Sequence, residues 1–519
     1  MTADEPLSQK RRSPDRGVPV YPTVVGVALI FQLVATSGVG VWVSFRPLLV
    51  AVVLGLIVTL AVRLLLGDAV RAGPAAAIAI FAMLDGDNRI VVLALIVLAI
   101  FAVERRVIPG RLHLPWPTIN RVGRAMAVIV AIAILIQAAQ LGSLSILARS
   151  VTAEGPLRPV RAFPPASGPA DPDIYFILLD GYARSDALEQ VFGIDDQPFL
   201  DALQARGLTV STHARTNYPI TVQVVISMFH MRLLSDIPQL APLLDGKYRQ
   251  TEIGLTHAVV QENPLFDYLH SKDYEIAGIA SGFAQLSLRE SDRFITSGQI
   301  NEFEVAVLRR TILGDLLNLA APDFISSQYR ARIHAAWDTL GQLAAERPGH
   351  PRFIFAHVPS PHPPWVFNAD GSPRTSPDIH TIYEDMPETT GQTDEQLAAG
   401  YSGSVEALWQ PVIRAIDDID QHSAVPPVIV VFGDHGSWVG ATPGDVRLRF
   451  LPLLAARIPG HPEGLPDDES LVNVFPDLLD PLFGASFPRV TPDPSFMFGP
   501  RDQYDLHELS DPNVAITTP

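Results

Sequence analysis

Four short segments place acid, imidazole and hydroxyl side chains where a buried apolar run stops. LLDGY sets Asp180 after the run 174–179 (IYFILL), FGDHG sets Asp434 and His435 after 428–432 (VIVVF), and FAHVPSPHPP ends the run 353–357 on His357 with His362 following shortly. The fourth, RTNYPITVQ, carries Thr221 just beyond Pro219. Taken singly, two of these have ordinary explanations: an Asp before Gly181 makes a common turn, and a Thr ahead of helical spacing makes a common N-cap. Asp434-His435 between Gly433 and Gly436 is harder to explain in that way. Glycines there let the backbone fold tightly around two polar side chains that have no packing reason to end a buried strand. Two carboxylates and an imidazole suit one divalent metal, Zn or Mn best, with Mg or Ca also compatible. Such an ion would lower the pKa of the Thr221 hydroxyl, which is too weak a nucleophile when free.

Those residues need a scaffold that brings strand ends together. The runs 174–179, 276–280, 353–357 and 428–432 are short, continuous and apolar, the pattern of strands buried on both faces. Helical stretches at 331–346 and 396–416 lie between them. The alternation predicts an α/β domain with a mostly parallel central sheet covered by helices. Ligands in such sheets bind outside the carboxyl ends of the strands, where Asp180, His357 and Asp434-His435 would meet. After Thr221, Val222, Val225, Met228, Phe229 and Leu233 recur at helical spacing, so Thr221 is expected near a helix N-terminus. The amide groups there bind anions and favour an alkoxide.

Composition separates this domain from what precedes it. The chain has 519 residues and a net charge of -17, but residues 1–150 hold 14 basic against 7 acidic side chains and the rest 24 against 48. An acidic domain repels phosphate backbones, so nucleic acid is not an expected partner. With no cysteine, disulfides, thiolate metal sites, a Cys nucleophile and Cys-derived formylglycine are excluded. Only Lys10, Lys247 and Lys272 are lysines, which reads as coding bias. The basic first part holds uncharged stretches at 24–44 and 125–148, each long enough to cross a bilayer. Stretch 47–66 makes a third span, with Arg63 near enough to its end to snorkel. The shorter 72–84 and 90–103, separated by a polar tip at 85–89, read as two short spans or one re-entrant hairpin. Five spans put most Arg and Lys on the N-terminal side and the later domain on the other, extracytoplasmic side. The first span is too long for a cleavable signal peptide. The segment is expected mainly as an anchor, with Gln32, Gln137 and Gln140 packing against neighbours or lipid. The expected divisions are a cytoplasmic tail 1–20, a five-helix transmembrane bundle 21–150, a Pro-rich linker 151–172, a catalytic domain 173–485 and a tail 486–519. Segments 373–393 and 486–519 read as surface loop and tail, without chemistry.

Together DIYFILLDGYARSD, TNYPITVQVVISMF, HVPSPHPPWVF and VIVVFGDHG resemble the alkaline phosphatase/sulfatase superfamily, across about residues 173–483. The resemblance is to its membrane-anchored branch, which includes lipoteichoic acid synthases and lipid A phosphoethanolamine transferases. It implies an alkaline-phosphatase-like domain with one divalent metal on Asp180, Thr221, Asp434 and His435. Thr221 would be the nucleophile, His362 the first substrate-binding residue and His357 the second. The chain also departs from that pattern. Thr221 stands where sulfatases carry the Cys or Ser that becomes formylglycine, residues 437–460 hold no further His for a second metal, and bracing cysteine pairs are absent. Arg184, Arg447 and Arg449 are candidates to hold a phosphate, although ordinary surface Arg explains them first. The implied activity is a ping-pong phosphotransfer through a phospho-threonine, from a membrane phospholipid to an envelope glycan or lipid. The alternatives are a phosphodiesterase, phosphatase or sulfatase-like hydrolase with water as acceptor, and a degenerate, non-enzymatic envelope protein.

Overall fold

A computed structural model describes residues 18–37, 41–67, 69–85, a few positions between 95 and 103, 115–152, 171–246, 252–375, 391–440, 446–491, 493–498 and 503–509. The chain divides into two compact units, one formed by the first 142 positions, apart from 37–40, together with Val307–Leu316, the other by the remainder.

The first unit holds all but the last residue of α1, Pro22–Ser37, then α2 Phe45–Leu66, α3 Ala69–Asp85 and the part of α4, Trp116–Thr152, that runs to position 142. Small residues set the packing between them: Ala72, Ala75 and Ala76 are fully buried. A Cβ at Gly73 would lie 2.6 Å from the Tyr21 hydroxyl, so this approach requires glycine. Leu49, Val50, Val53, Ile57, Leu60 and Leu64 of α2 are exposed, an apolar surface suited to lipid. Its one buried hydroxyl, Thr59, donates to the Gly55 carbonyl at 2.6 Å and so leaves no donor unpaired.

Among the described residues, two helices are long and apolar enough to cross a membrane, Phe45–Leu66 and the Trp116–Ile136 part of α4. Five spans were expected. Of the stretch expected as a span at 24–44, α1 covers the positions up to Ser37 and a 3-10 turn, Val41–Ser44, leads into α2, while 38–40 lie outside the described residues. At 16 residues α1 runs about 24 Å, short of a core of roughly 30 Å. The expected span at 72–84 is the 17-residue α3, and most of 90–103 lies outside the described residues, as does nearly all of the linker.

The second unit holds a seven-stranded sheet in the order β2-β7-β6-β1-β5-β3-β4. The strands are β1 Ile174–Leu179, β2 Thr209–Val210, β3 Glu275–Ile279, β4 Arg293–Ile295, β5 Arg352–Val358, β6 Val428–Phe432 and β7 Leu454–Arg457. β1 pairs in parallel with both β5 and β6, and β3 with β4 and β5; β7 runs antiparallel to its neighbours β6 and β2. The mostly parallel sheet expected from the apolar runs is therefore present. Ile174, Phe176 and Leu178 face one layer, which contains α5 Thr221–His230 and α8 Val474–Phe483. Phe176 sits at its centre, with its ring 4.4 Å from Phe432, 4.8 Å from Phe475 and 6.4 Å from Phe229. On helices α6 Phe324–Ala345 and α7 Asp394–His422, which pack together, α6 also packs on β5. At the amino ends of β1 and β5, Arg352 is 2% exposed and pairs with Asp173 at 2.6 Å.

Segment 486–519 was expected as a tail without chemistry. Within it β8 Phe496–Phe498 and β9 Leu506–Glu508 form a hairpin, with Phe496 stacked on Tyr218 at 5.5 Å.

Candidate active site

Register decides which side chains meet. Leu178 lies opposite both His357 of β5 and Phe432 of β6, so Asp180 and Asp434, each two residues further on, leave adjacent strands at the same level. The loop after β1 turns at Gly181, whose φ is 77°, and its amide donates to Asp434 Oδ1 at 2.9 Å. The two glycines around Asp434-His435 are required by close approach. A Cβ on Gly433 would stand 2.1 Å from the Tyr182 carbonyl oxygen and one on Gly436 1.9 Å from that of Leu448.

Thr221 is the first residue of α5 and its side chain does not act as the cap, which is Ile220. Its hydroxyl oxygen is 3.2 Å from His435 Nε2 and 3.4 Å from Asp180 Oδ1. The expected helix N-terminus is thus where the spacing placed it, next to the acid and imidazole groups. His435 Nδ1–H donates to the Gly436 carbonyl at 2.9 Å, which leaves the Nε2 lone pair facing Thr221 and Asp434.

One ligand atom each from Asp180, Asp434 and His435 lies within 4.8 Å of the others, and all three residues are buried. Asp434 Oδ2 has no hydrogen-bond partner although it is 3.1 Å from His435 Nε2. A buried carboxylate oxygen left without a donor is costly unless something positive meets it. Burial and the neighbouring Asp180 charge push the Asp434 carboxyl up. Asp180 goes the other way: burial opposes its charge, but the His362 charge, the His357 hydrogen bond and His435 hold it below the ordinary carboxylate range. Burial, with the Arg449 charge, pushes His435 well down, so it is a neutral imidazole with a lone pair to give. Two close buried carboxylates, a neutral imidazole and a hydroxyl fit a divalent cation, which would offset the repulsion between the acids.

A cavity of about 350 Å³ opens beside this group. Its lining includes the polar Asp180, Thr221, His362, His435 and Arg449 and the aromatic Phe283, Trp438 and Phe498. His362 is held there by its amide, which donates to the Asp180 carbonyl at 2.9 Å, and its Nδ1 is 3.2 Å from the Pro363 carbonyl oxygen. His357, expected as a second substrate-binding residue, does not line this cavity. It is 1% exposed and lies behind Asp180, with Nε2 2.9 Å from Asp180 Oδ2. Side chains alternate along a strand, and position 357, the last but one of β5, points behind the acid.

Arg449 is the residue that sequence reasoning named without committing to it. It is buried, lies over the Trp438 ring at 4.0 Å, and donates to the Gly436 and Pro219 carbonyls, bracing both the Asp-His loop and the entry to α5. Arg184 instead pairs with Asp186 at 2.8 Å. Glu252, Gln285, Phe498 and Gln503 also line the cavity, and no local pattern singled them out.

No family model and no curated protein matches the chain. Among solved structures it is similar to the C-terminal periplasmic domain of EcEptC from Escherichia coli in complex with Zn, at 14% identity and TM-score 0.42, covering 68% of this chain and 96% of that one. The Phosphonate Monoester Hydrolase of Agrobacterium radiobacter gives 13% identity and TM-score 0.39, covering 63% and 79%. The integral membrane protein lipooligosaccharide phosphoethanolamine transferase A from Neisseria meningitidis gives 13% and 0.34, covering 85% and 87%. Likenesses this distant carry no functional argument, which rests on the geometry above.

Proposed function

We propose that this chain is a membrane-anchored sulfatase-like enzyme of the alkaline phosphatase superfamily, a phosphotransferase that moves an alcohol-phosphate group from a phospholipid to a cell-envelope glycan or lipid. The observation that carries this reading is the Thr221 hydroxyl at a helix N-terminus, within hydrogen-bond reach of Asp180 and His435 and open to a cavity walled by His362 and Arg449. Asp180, Asp434, His435 and the Thr221 hydroxyl would hold one divalent ion, Zn or Mn, which would supply a lowered hydroxyl pKa and positive charge for the phosphoryl oxygens.

The chain's own residues account for the rest. Thr221 Oγ1 forms a bond to phosphorus as the bond from phosphorus to the donor alcohol breaks. The alcohol leaves with the proton that Thr221 gives up, carried through His362. The first-turn amides of α5 and the Arg449 charge offset the negative charge on the nonbridging oxygens. In the second half the acceptor hydroxyl takes the phosphoryl group and its proton returns to Thr221 by the same route. The membrane unit keeps the domain near lipid donors; in the proposed topology five spans place it outside the cytoplasm.

The test is peptide mass analysis of the detergent-purified full chain after incubation with phospholipid and zinc. A phosphoryl-head-group adduct on the peptide containing Thr221, absent in Thr221→Ala, is expected. Equal lipid turnover by Thr221→Ala would remove Thr221 as nucleophile, and turnover of donor without any modified acceptor would point to hydrolysis.

A further inference from the structure

We propose that His357 and Ser281 form a positioning relay that fixes which oxygen of Asp180 is presented to the metal, a role that rests on the metal reading above. A carboxylate rotates easily about its last torsion, which is broad and two-fold. Something must therefore choose between the two Asp180 oxygens. Oδ1 is the one near the reacting group, 3.4 Å from Thr221 Oγ1 and 3.8 Å from His435 Nε2. Oδ2 points the other way and is 2.9 Å from His357 Nε2.

An anionic oxygen needs a donor, so His357 Nε2 carries its hydrogen and Nδ1 must accept. The partner at Nδ1 is the Ser281 hydroxyl, 2.8 Å away, which can donate. Ser281 Oγ in turn accepts from the Phe283 amide at 3.3 Å, so each group in the series has one direction in which its hydrogen can point. The backbone of Ser281 is itself held: Arg332 donates to its carbonyl at 2.9 Å and to Glu302 at 2.7 Å, with both charged side chains buried.

An ordinary buried histidine would satisfy its two nitrogens on whatever lies nearest. Here one nitrogen is committed to the outer oxygen of a ligand and the other to a hydroxyl fixed by a different strand end, that of β3. Ligands of a metal are commonly oriented by a second polar group in this way, and loss of that group costs about 10–100-fold in metal affinity. The relay also explains why a histidine sits on β5 at a position that does not reach the cavity.

The experiment is competition for zinc between the full-length, metal-free chain in detergent and a chromophoric chelator, with melting temperature measured in parallel without metal. His357→Ala is expected to bind zinc about 10–100-fold more weakly. His357→Gln, whose amide nitrogen occupies the place of Nε2 and can donate to Asp180, is expected to restore most of that affinity. Ser281→Ala is expected to fall between the parent and His357→Ala with an unchanged melting temperature. Parent-like zinc binding by His357→Ala and Ser281→Ala, or a His357→Gln as weak as His357→Ala while both melt like the parent, overturns the relay. If His357→Ala does not fold, the Gln and Ser281→Ala arms decide. Asp434→Ala separates the two levels: zinc kept there defeats the metal reading and the relay with it, whereas zinc lost there and kept in His357→Ala defeats the relay alone.

Discussion

Asp180 and Asp434 stand close together and are treated oppositely by their surroundings, and another buried acid in the domain shows what such a group does when it is only partly compensated. Glu469 is fully buried, its Oε2 has no hydrogen-bond partner, and burial pushes its carboxyl up to about 7 against Arg489 and the Ser470 amide. A raised folded-state pKa means that its contribution is fully present below the unfolded value near 4.5 and is lost as pH rises through about 7. Glu469→Gln cannot ionise, so it should match the parent at pH 4 and exceed it at pH 8, by up to about 3 kcal/mol. Chemical denaturation at the two pH values checks this, and an equal difference at both would exclude ionisation as the cause. At this scale the sequence was informative where a polar side chain ends a buried strand, because packing gives no reason for Asp180, Asp434 or His435 to be there. It was uninformative about direction. His357 was placed at the correct strand end, but which side of the acid it faces depends on side-chain parity and register, which motifs do not carry. Arg449 and Gln285 lie in 3-10 turns of four and three residues, and Gln503 in a turn before β9, segments too short for a period to read.

The elements that hold the site act through close backbone approach. With only 2.1 Å between a Cβ on Gly433 and the Tyr182 carbonyl oxygen, Gly433→Ala must push the β6 end away from the β1 loop. We expect it to cost about 1–3 kcal/mol in stability. On the proposed metal reading it should also weaken zinc binding, because Asp434 is the next residue; calorimetry and chelator competition on the same variant read both, and parent-like values in each would show that the loop has slack. The strands β1, β5 and β6 were legible to within a residue because fully buried runs are continuous and apolar. Strands β2, β4 and β7 were not. They are two to four residues long, too short for a pattern to rise above chance. The hairpin of β8 and β9 was missed for a different reason: its composition is that of a tail, and only tertiary packing of Phe496 on Tyr218 and of Phe498 along the cavity gives it structure.

Across the whole molecule, charge and hydropathy differ between the basic, apolar first part and the acidic remainder, and the structure has two compact units. The division was placed by composition alone, which cannot show that Val307–Leu316 groups with the first unit. Apolar length alone does not count crossings: among the described residues two helices are long enough to span, and the 16-residue α1 and 17-residue α3 are shorter. The Gly181 amide and Asp434 Oδ1 join positions 253 apart in the chain. Loops that large close late in folding, after most local structure has formed. Asp434 and His435 are neighbours in the chain, but Asp180 joins them only across the sheet, so the full proposed ligand set is complete only in the finished sheet and zinc should bind that state best. Kinetically, this makes the ion a brake on unfolding and no help to folding: with zinc present the unfolding rate of the second unit should drop while its refolding rate stays the same. Stopped-flow measurements with and without chelator would show it, and a refolding rate raised by zinc would mean that the two strand ends meet early.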